Sequence, residues 1–352
     1  MSARNYVMSF LAMLLIFMAG NVILWNAVTR SYFIGGDLQR MGSFTIYEAK
    51  GTDTAFPNKH TEFSDYIKSG IKVSFDVITI GDSFSNGHSR NYYQDYLADK
   101  YGLKVLNFHA KNYLEGLYMF IESGLLEEFS PCAMILESVE REVQNRLGVS
   151  VITPESIDRN EFIHSILGKS SAKSVRSGYF APVMVKVNLK YFRDKLYRVF
   201  NTGKISRTIY ITQLDREMFT NKGQENLLLY YYGDMNFIDY PLNVEMMSRN
   251  LANVAAMLKE KGIKLIFFVA PDKYDLYYPY IKDKTDKPEN KFFDEMRKIK
   301  SEGYTIIDTL SLLRSALARG EKDIYWLDDT HWSYKGMKIV CDEIAKYLRP
   351  RN

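Results

Sequence analysis

The chain has 352 residues, of which 46% are hydrophobic and 25% charged, and its formal net charge is +4. This composition excludes a largely disordered chain, a collagen-like repeat and a multi-span membrane protein, and the charge falls well short of the dense Lys/Arg stripe of a nucleic-acid binder. Aromatic residues make up 14%, with 26 Tyr and 21 Phe against 9 Pro, which predicts an ordered fold carrying many amphipathic rings.

The apolar residues are unevenly spread. No charge occurs between Arg4 and Arg30, and residues 6–28 form an apolar run with Tyr6 and Trp25 near its two ends. At about 1.5 Å per residue this suffices to cross a hydrocarbon core of about 30 Å, and interfacial aromatics belong at such ends. The apolar run continues past the small residues Ala19 and Gly20 and is longer than the core of a cleaved signal peptide. The expectation is therefore a tail at 1–5, an uncleaved anchor at 6–28, and a body exported from the cytoplasm. Residues 29–70, with Gly35-Gly36, Gly51 and Pro57, read as a tether or an irregular first layer.

From residue 71 the pattern becomes strand and helix in alternation. Strands are predicted at 73–80, 104–108, 132–136, 264–270 and 304–307. Helices are predicted around residues 92–97 and at 113–126, 244–261, 292–300, 310–318 and 336–348. The alternation implies right-handed βαβ crossovers and a three-layer α/β domain with a mostly parallel sheet, its halves at 71–147 and 242–352. Cys132 and Cys341 lie in apolar surroundings and are expected as buried thiols. Between the halves, residues 148–241 interrupt the alternation and read as a helical or irregular insertion or cap. Within it, residues 166–207 are rich in Lys and Arg, with Asp194 as the single acid and six Tyr and Phe interleaved. A solvated basic face, anionic lipid headgroups, a membrane partner or an acidic polymer would each suit that pattern.

Two segments carry chemistry. Gly81-Asp82-Ser83-Phe84-Ser85 follows the strand at 73–80 directly, and in a parallel sheet ligands bind at the carboxyl ends of strands. A serine hydroxyl there needs a base, and the Ser83 N–H can face a developing oxyanion. Trp326-Leu327-Asp328-Asp329-Thr330-His331-Trp332 supplies an imidazole beside two acids, either of which can fix its tautomer and stabilise its cation. His331 is thus the candidate base. Of the other histidines, His60 and His164 lack such company, while His88 and His109 are expected near the Ser loop. Lys273, Tyr274 and Asp275 follow the strand at 264–270 and either position substrate or cap a turn. Tyr230, Tyr231, Tyr232 and Tyr240 either stack on sugar rings or pack the cap. Neither a metal-ligand cluster nor a phosphate-binding glycine loop is found, so no cofactor is expected.

With Ser83 in a Gly-Asp-Ser loop and an Asp-x-x-His pair just before the last helix, the chain resembles the SGNH/GDSL hydrolase superfamily over most of residues 70–350. More narrowly, Asp329-Thr330-His331-Trp332, Glu137-Ser138-Val139-Glu140-Arg141 and Ala270-Pro271-Asp272-Lys273-Tyr274 are similar to segments of the alginate O-acetyltransferase family. An anchor followed by an early Ser and a late His also resembles the D-alanine transfer proteins of teichoic acid modification. The resemblance implies an acyl-serine intermediate, a cell-surface polysaccharide acceptor, and an acyl donor delivered by a polytopic membrane-bound O-acyltransferase. Alginate-family spacing points to Asp329 as the partner of His331, and general superfamily spacing points to Asp328. Where the superfamily places an oxyanion-hole Gly, Asn112 stands nearest; where it places an Asn, Ser138 to Arg141 stands. Asp82, Asn112, His109, Arg141, Lys273, Tyr274 and Trp332 are the candidate oxyanion or substrate-binding residues. The expected function is a membrane-anchored O-acyltransferase, specifically an O-acetyltransferase. The alternatives are a carbohydrate esterase or deacetylase of the same fold, and a catalytically silent scaffold or glycan-binding subunit.

Overall fold

The computed structural model describes residues 2–33, 35–44, 56–86, 92–109, 113–150, 159–160, 162–163, 180–201, 204–238 and 242–348. Helix α1 (Ala3–Leu24) starts at Ser2, whose hydroxyl caps the Asn5 N–H, and buries none of its residues. It runs without a break into a π-helical turn, Trp25–Thr29, where Trp25 and Thr29 are buried. After Gly35-Gly36 a short helix, α2 (Asp37–Gly42), returns the chain to the body.

Six strands form one parallel sheet in the order β1-β3-β2-β4-β7-β8. These are β1 (Thr61–Glu62), β2 (Val77–Ile80), β3 (Val105–Phe108), β4 (Ala133–Val139), β7 (Lys264–Ala270) and β8 (Tyr304–Ile307). All residues of β2, β3 and β4 are buried, as expected for strands covered on both faces. The short helix α3 (Ser83–Asn86) follows β2; α4 (Tyr93–Tyr101) joins β2 to β3, and α5 (Tyr113–Glu122) joins β3 to β4.

In the second half, α6 (Phe180–Phe200) precedes an antiparallel hairpin of β5 (Ile209–Gln213) and β6 (Leu227–Tyr231). Then come α7 (Val244–Glu260), α8 (Lys273–Tyr277), α9 (Thr309–Ala318) and α10 (Tyr334–Ala345). Helices α4, α9 and α10 pack together over one face of the sheet, while α5 and α7 pack together over the other. This is the expected three-layer α/β architecture. Because every crossover is parallel, the loops after β2, β3, β4 and β7 all open at the same edge.

The structure differs from expectation in several places; the predicted strand 132–136 runs on to Val139, and the predicted helix 292–300 ends at Met296. The predicted strand at 73–80 starts only at Val77, since Phe75 to Val77 first bond the neighbouring Phe129 and Lys104 carbonyls. The predicted helix 113–126 ends at Glu122 and resumes as Leu125–Phe129, because Gly124 takes a positive φ of 75° that breaks the turn. The stretch 29–70 holds more structure than a tether: it supplies β1 at the sheet edge and α2 against the site. The stretch 148–241 includes α6 and the β5–β6 hairpin, which packs on α2 and α8. Cys341 is buried and Cys132 half-buried.

Candidate active site

Strand β2 ends at Ile80, and Asp82 caps the following turn. Its Oδ1 accepts from the Phe84 N–H at 3.0 Å and its Oδ2 from the Val139 N–H at 2.5 Å, with the Arg146 guanidinium paired to the same oxygen. Burial raises the Asp82 pKa, but Arg146 and the two backbone donors outweigh it and hold the group below the ordinary carboxylate range. Beneath this turn Glu137, fully buried on β4, accepts from the Asp82 N–H at 2.9 Å and the Ser85 hydroxyl at 2.8 Å. Burial and the Asp82 charge push its carboxyl well above the ordinary range. The Ser83 loop is therefore fixed from both sides by buried polar groups.

Ser83 Oγ lies 2.9 Å from His331 Nε2, and His331 Nδ1 lies 2.6 Å from Asp329 Oδ1. Asp329 Oδ1 also accepts from the His331 backbone N–H at 3.1 Å. Phe84 packs on the imidazole with ring centroids 4.6 Å apart. Burial opposes charge on His331, yet the hydrogen bond and charge of Asp329 raise its pKa above the ordinary value. Burial likewise opposes ionisation of Asp329, and His331 overrides it, holding that carboxyl far below its usual range.

The loop that carries His331 is held on two sides. From the sheet side, the fully buried Lys273 ammonium donates to the carbonyls of Trp326 (2.6 Å), Leu327 (2.8 Å) and Asp329 (3.2 Å). Burial lowers its pKa to about 8 against the pull of Asp328, Asp329 and Asp37. From the other side, the segment just after α1 closes over the loop. The Gly36 N–H donates to Asp328 Oδ2 at 2.9 Å and Gln39 Nε2 to the same oxygen at 2.6 Å, while the Leu38 N–H reaches the Asp328 carbonyl at 3.0 Å. Asp37 accepts from the Thr330 N–H at 2.8 Å and from the Thr330 hydroxyl, and its own N–H donates to Asp329 Oδ2 at 3.2 Å. Asp37 Oδ2 is 3.8 Å from His331 Nδ1. Burial and the Asp329 charge push the Asp37 carboxyl up to about 6.

Several expected site residues have other work. Of the two acids left open for His331, Asp329 is bonded to the imidazole; Asp328 is turned away, its carboxylate taken by Gly36 and Gln39. Arg141 is paired to Asp234 and Asp272, so its guanidinium is committed within the fold. Lys273 neither contacts an open surface nor caps an exposed turn, since it is buried under the His331 loop. Tyr274 is buried with its hydroxyl on the Pro288 carbonyl at 2.8 Å, and Trp332 is buried against Phe84 with ring centroids 4.8 Å apart. His109 is exposed just past β3. Asn112, His88, His164 and Tyr240 lie outside the described residues.

His60 is not without company. It bridges Asp95 at 2.6 Å and Glu62 at 3.0 Å, and Glu62 in turn accepts from Asn107, which also donates to the Ser85 carbonyl and Asn86 behind the serine turn. Sequence reasoning missed Asp37, Gln39 and Arg146. Asp37 and Gln39 meet loop residues roughly 290 positions away, and no local spacing announces such a contact. Arg146 carried a nearer signal, a second cation after Arg141 shortly past β4, within reach of the loop that follows β2. Asp37, Asp329 and His331 are also the one group of three among the described residues whose donor atoms lie close enough to hold a metal ion, within 4.8 Å of one another.

Residues 232–352 match the family model for the SGNH hydrolase-like domain of the acetyltransferase AlgX. A curated relative from Pseudomonas fluorescens, described as "Probable alginate O-acetylase AlgJ", is 27% identical over 146 residues, which cover 38% of this chain and 36% of the relative. The chain thus spans little more than a third of that relative's length. Among solved structures, a GDSL-like lipase from Bacteroides thetaiotaomicron aligns over 81% of this chain and 98% of its own, with 10% identity and a TM-score of 0.30. The family match contains Lys273, Asp329 and His331 and begins after Ser83, whose place beside them comes from the fold. Residues 232–352 are thus similar to the SGNH hydrolase-like domain of AlgX, and part of the chain is similar to an AlgJ acetylase.

Proposed function

We propose that the protein is a membrane-anchored, extracytoplasmic O-acyltransferase that moves an acetyl group onto a hydroxyl of a cell-surface polysaccharide. The observation that carries this reading is the unbroken hydrogen-bonded chain from Ser83 Oγ through His331 to Asp329. Ser83 Oγ attacks the carbonyl carbon of the acyl donor as its proton passes to His331 Nε2. The Ser83 N–H supports the oxyanion, and the tetrahedral species collapses as His331 returns the proton to the leaving oxygen. An acyl-serine remains. A sugar hydroxyl then gives its proton to His331 and attacks the ester, and the proton passes back to Ser83 as the acylated sugar leaves.

Asp329 holds the imidazole tautomer throughout and stabilises the cation that forms twice per cycle. The relatives' names, an acetyltransferase and an alginate acetylase, support acetyl as the group and a polysaccharide as the acceptor. The apolar α1, uncharged after Arg4, supports a span, and with the body outside the acyl donor would be delivered by a polytopic membrane-bound acyltransferase.

The test uses the full chain in detergent or nanodiscs. A fluorophosphonate should label Ser83, and an activated acetyl ester should acetylate an added oligosaccharide in preference to water. General acid–base assistance contributes about 10² to 10⁴-fold, so Ser83→Ala and His331→Ala should each lose at least that much. Acetyl release to water alone, with abundant sugar hydroxyls present, would make the protein an esterase. Absence of labelling in folded protein would leave a scaffold.

A further inference from the structure

Helix α6 is built inside out. Its polar side faces the protein. Asn188 is buried and donates to the Asn21 carbonyl at 2.9 Å, while Thr29 donates to its Oδ1 at 2.6 Å. Asp194 is buried too and accepts from the Ser43 hydroxyl at 2.8 Å and the Lys190 ammonium at 2.7 Å. Lys190 and Arg198 reach inward to the carbonyls of Met41 and Ser43.

The apolar side faces outward. Val185, Leu189, Phe192, Leu196 and Val199 recur at alternating steps of four and three, which puts them on one face at 100° per residue. Leu189, Phe192, Leu196 and Val199 are 60%, 57%, 62% and 73% exposed. A soluble helix would turn this stripe to the core and show Asn188 and Asp194 to water.

We infer that the outward face of α6 lies in the interfacial layer of an anionic bilayer, as a second membrane contact beside α1. Two observations favour lipid over a protein partner. The stripe is continuous with another exposed apolar surface, because α6 packs on α1 and on the π turn that ends it, and α1 has no buried residue. The charges also fit: Lys186 and Arg193 flank one edge of the stripe and Lys195 the other, all exposed, whereas Asp194, the helix's only acid, is buried inward. An apolar face bordered by cations alone matches the boundary between acyl chains and anionic headgroups. The Asn188 bonds to Asn21 and Thr29 fix α6 at the end of α1 nearest the body, where that boundary falls if α1 spans. The inference rests on that spanning reading, and its test separates the two.

Single cysteines replace Phe192, Leu196, Leu15 and Ile71 in full-length protein carrying Cys132→Ser, and each receives an NBD fluorophore. The proteins are placed in bilayers of phosphatidylcholine with or without phosphatidylglycerol, and acyl-chain nitroxide lipids and aqueous iodide serve as quenchers. Leu15 reports the span, and Ile71, 64% exposed in a loop, reports open solvent. Labels at 192 and 196 should be quenched by nitroxide lipid about threefold more than at 71, and Lys186→Glu/Arg193→Glu/Lys195→Glu should reduce this in phosphatidylglycerol bilayers. Quenching at 15 with 192 and 196 behaving like 71 would overturn the inference and leave the anchor standing. Shielding of 192 and 196 from both quenchers would also overturn it, by showing a protein cover. Quenching at 192 and 196 without quenching at 15 would uphold the contact and reject the span.

Discussion

At the scale of single residues, the candidate site sets two carboxylates beside one imidazole. Asp329 bonds His331 directly, and Asp37 adds a second negative charge 3.8 Å from the same nitrogen. Both raise the His331 pKa, so the neutral base required for attack by Ser83 is lost on the acidic side. The acidic limb of kcat/KM should accordingly lie above the ordinary histidine value of about 6.5. Asp37→Asn removes one of the charges and should move that limb to lower pH. The plateau should stay within about tenfold, since the chain of bonds from Ser83 to Asp329 is untouched. A pH–rate profile of the variant checks this; a limb that does not move would make Asp37 a purely structural contact to Thr330. Asp328 illustrates how position decides role, since its neighbour in sequence holds the histidine while Asp328 holds the segment after α1.

At the scale of elements, the His331 loop is a short turn closed by the antiparallel bridge between Tyr325 and Trp332 and clamped between two outside groups. Lys273 satisfies three of its carbonyls from below, and Gly36 to Gln39 bond Asp328 from above. The upper contact is tight enough that a Cβ on Gly36 would collide with the Asp328 carbonyl, so only glycine fits there. Lys273→Met keeps the buried stem but removes every donor. A buried group left without its partner costs about 1 to 3 kcal/mol. The variant should be destabilised by about that amount in urea or thermal unfolding, and should lose turnover more than substrate affinity because the imidazole is no longer held. Unchanged kcat in Lys273→Met would show that the clamp from Gly36 to Gln39 suffices alone.

At the scale of the whole molecule, segments roughly 290 residues apart meet at the site, and a polar path crosses from the sheet edge to the serine turn. That path runs from His60 through Glu62 and Asn107 to Ser85 and Asn86. Burial opposes charge on His60, but Asp95 and Glu62 together raise its pKa to about 9. A histidine whose folded pKa exceeds its unfolded value of about 6.5 contributes its full stability below that value and loses it as pH rises through about 9. The unfolding free energy of the wild type should therefore fall between pH 6.5 and 9.5 by more than that of His60→Gln. Denaturant melts of the two proteins at both pH values measure the difference, and equal slopes would remove His60 from the ledger.

Much was readable without coordinates. Hydropathy and period placed α1, the alternating strands and most helices, because those signals arise from local burial and are carried by neighbouring residues. The boundaries of β7 and β8 fall where the sequence predicts them. His331 could be singled out because its segment is poorly explained by packing, and Ser83 because its loop follows the carboxyl end of a strand.

The choice between Asp328 and Asp329 was not readable, since both spacings reach an imidazole and only the loop's path orients one carboxylate to it. Nor were Asp37 and Gln39, whose partners are brought near by the fold rather than by spacing. The basic and aromatic stretch at 166–207 told composition but not direction. Within α6 the period alone finds a stripe at Leu189, Phe192 and Leu196, and a stripe has no inside until a neighbour covers one face. Sequence determined what each segment is able to bury, a property of its own residues. Tertiary structure decided which face was buried and which carboxylate met the histidine, because those outcomes depend on groups hundreds of residues apart.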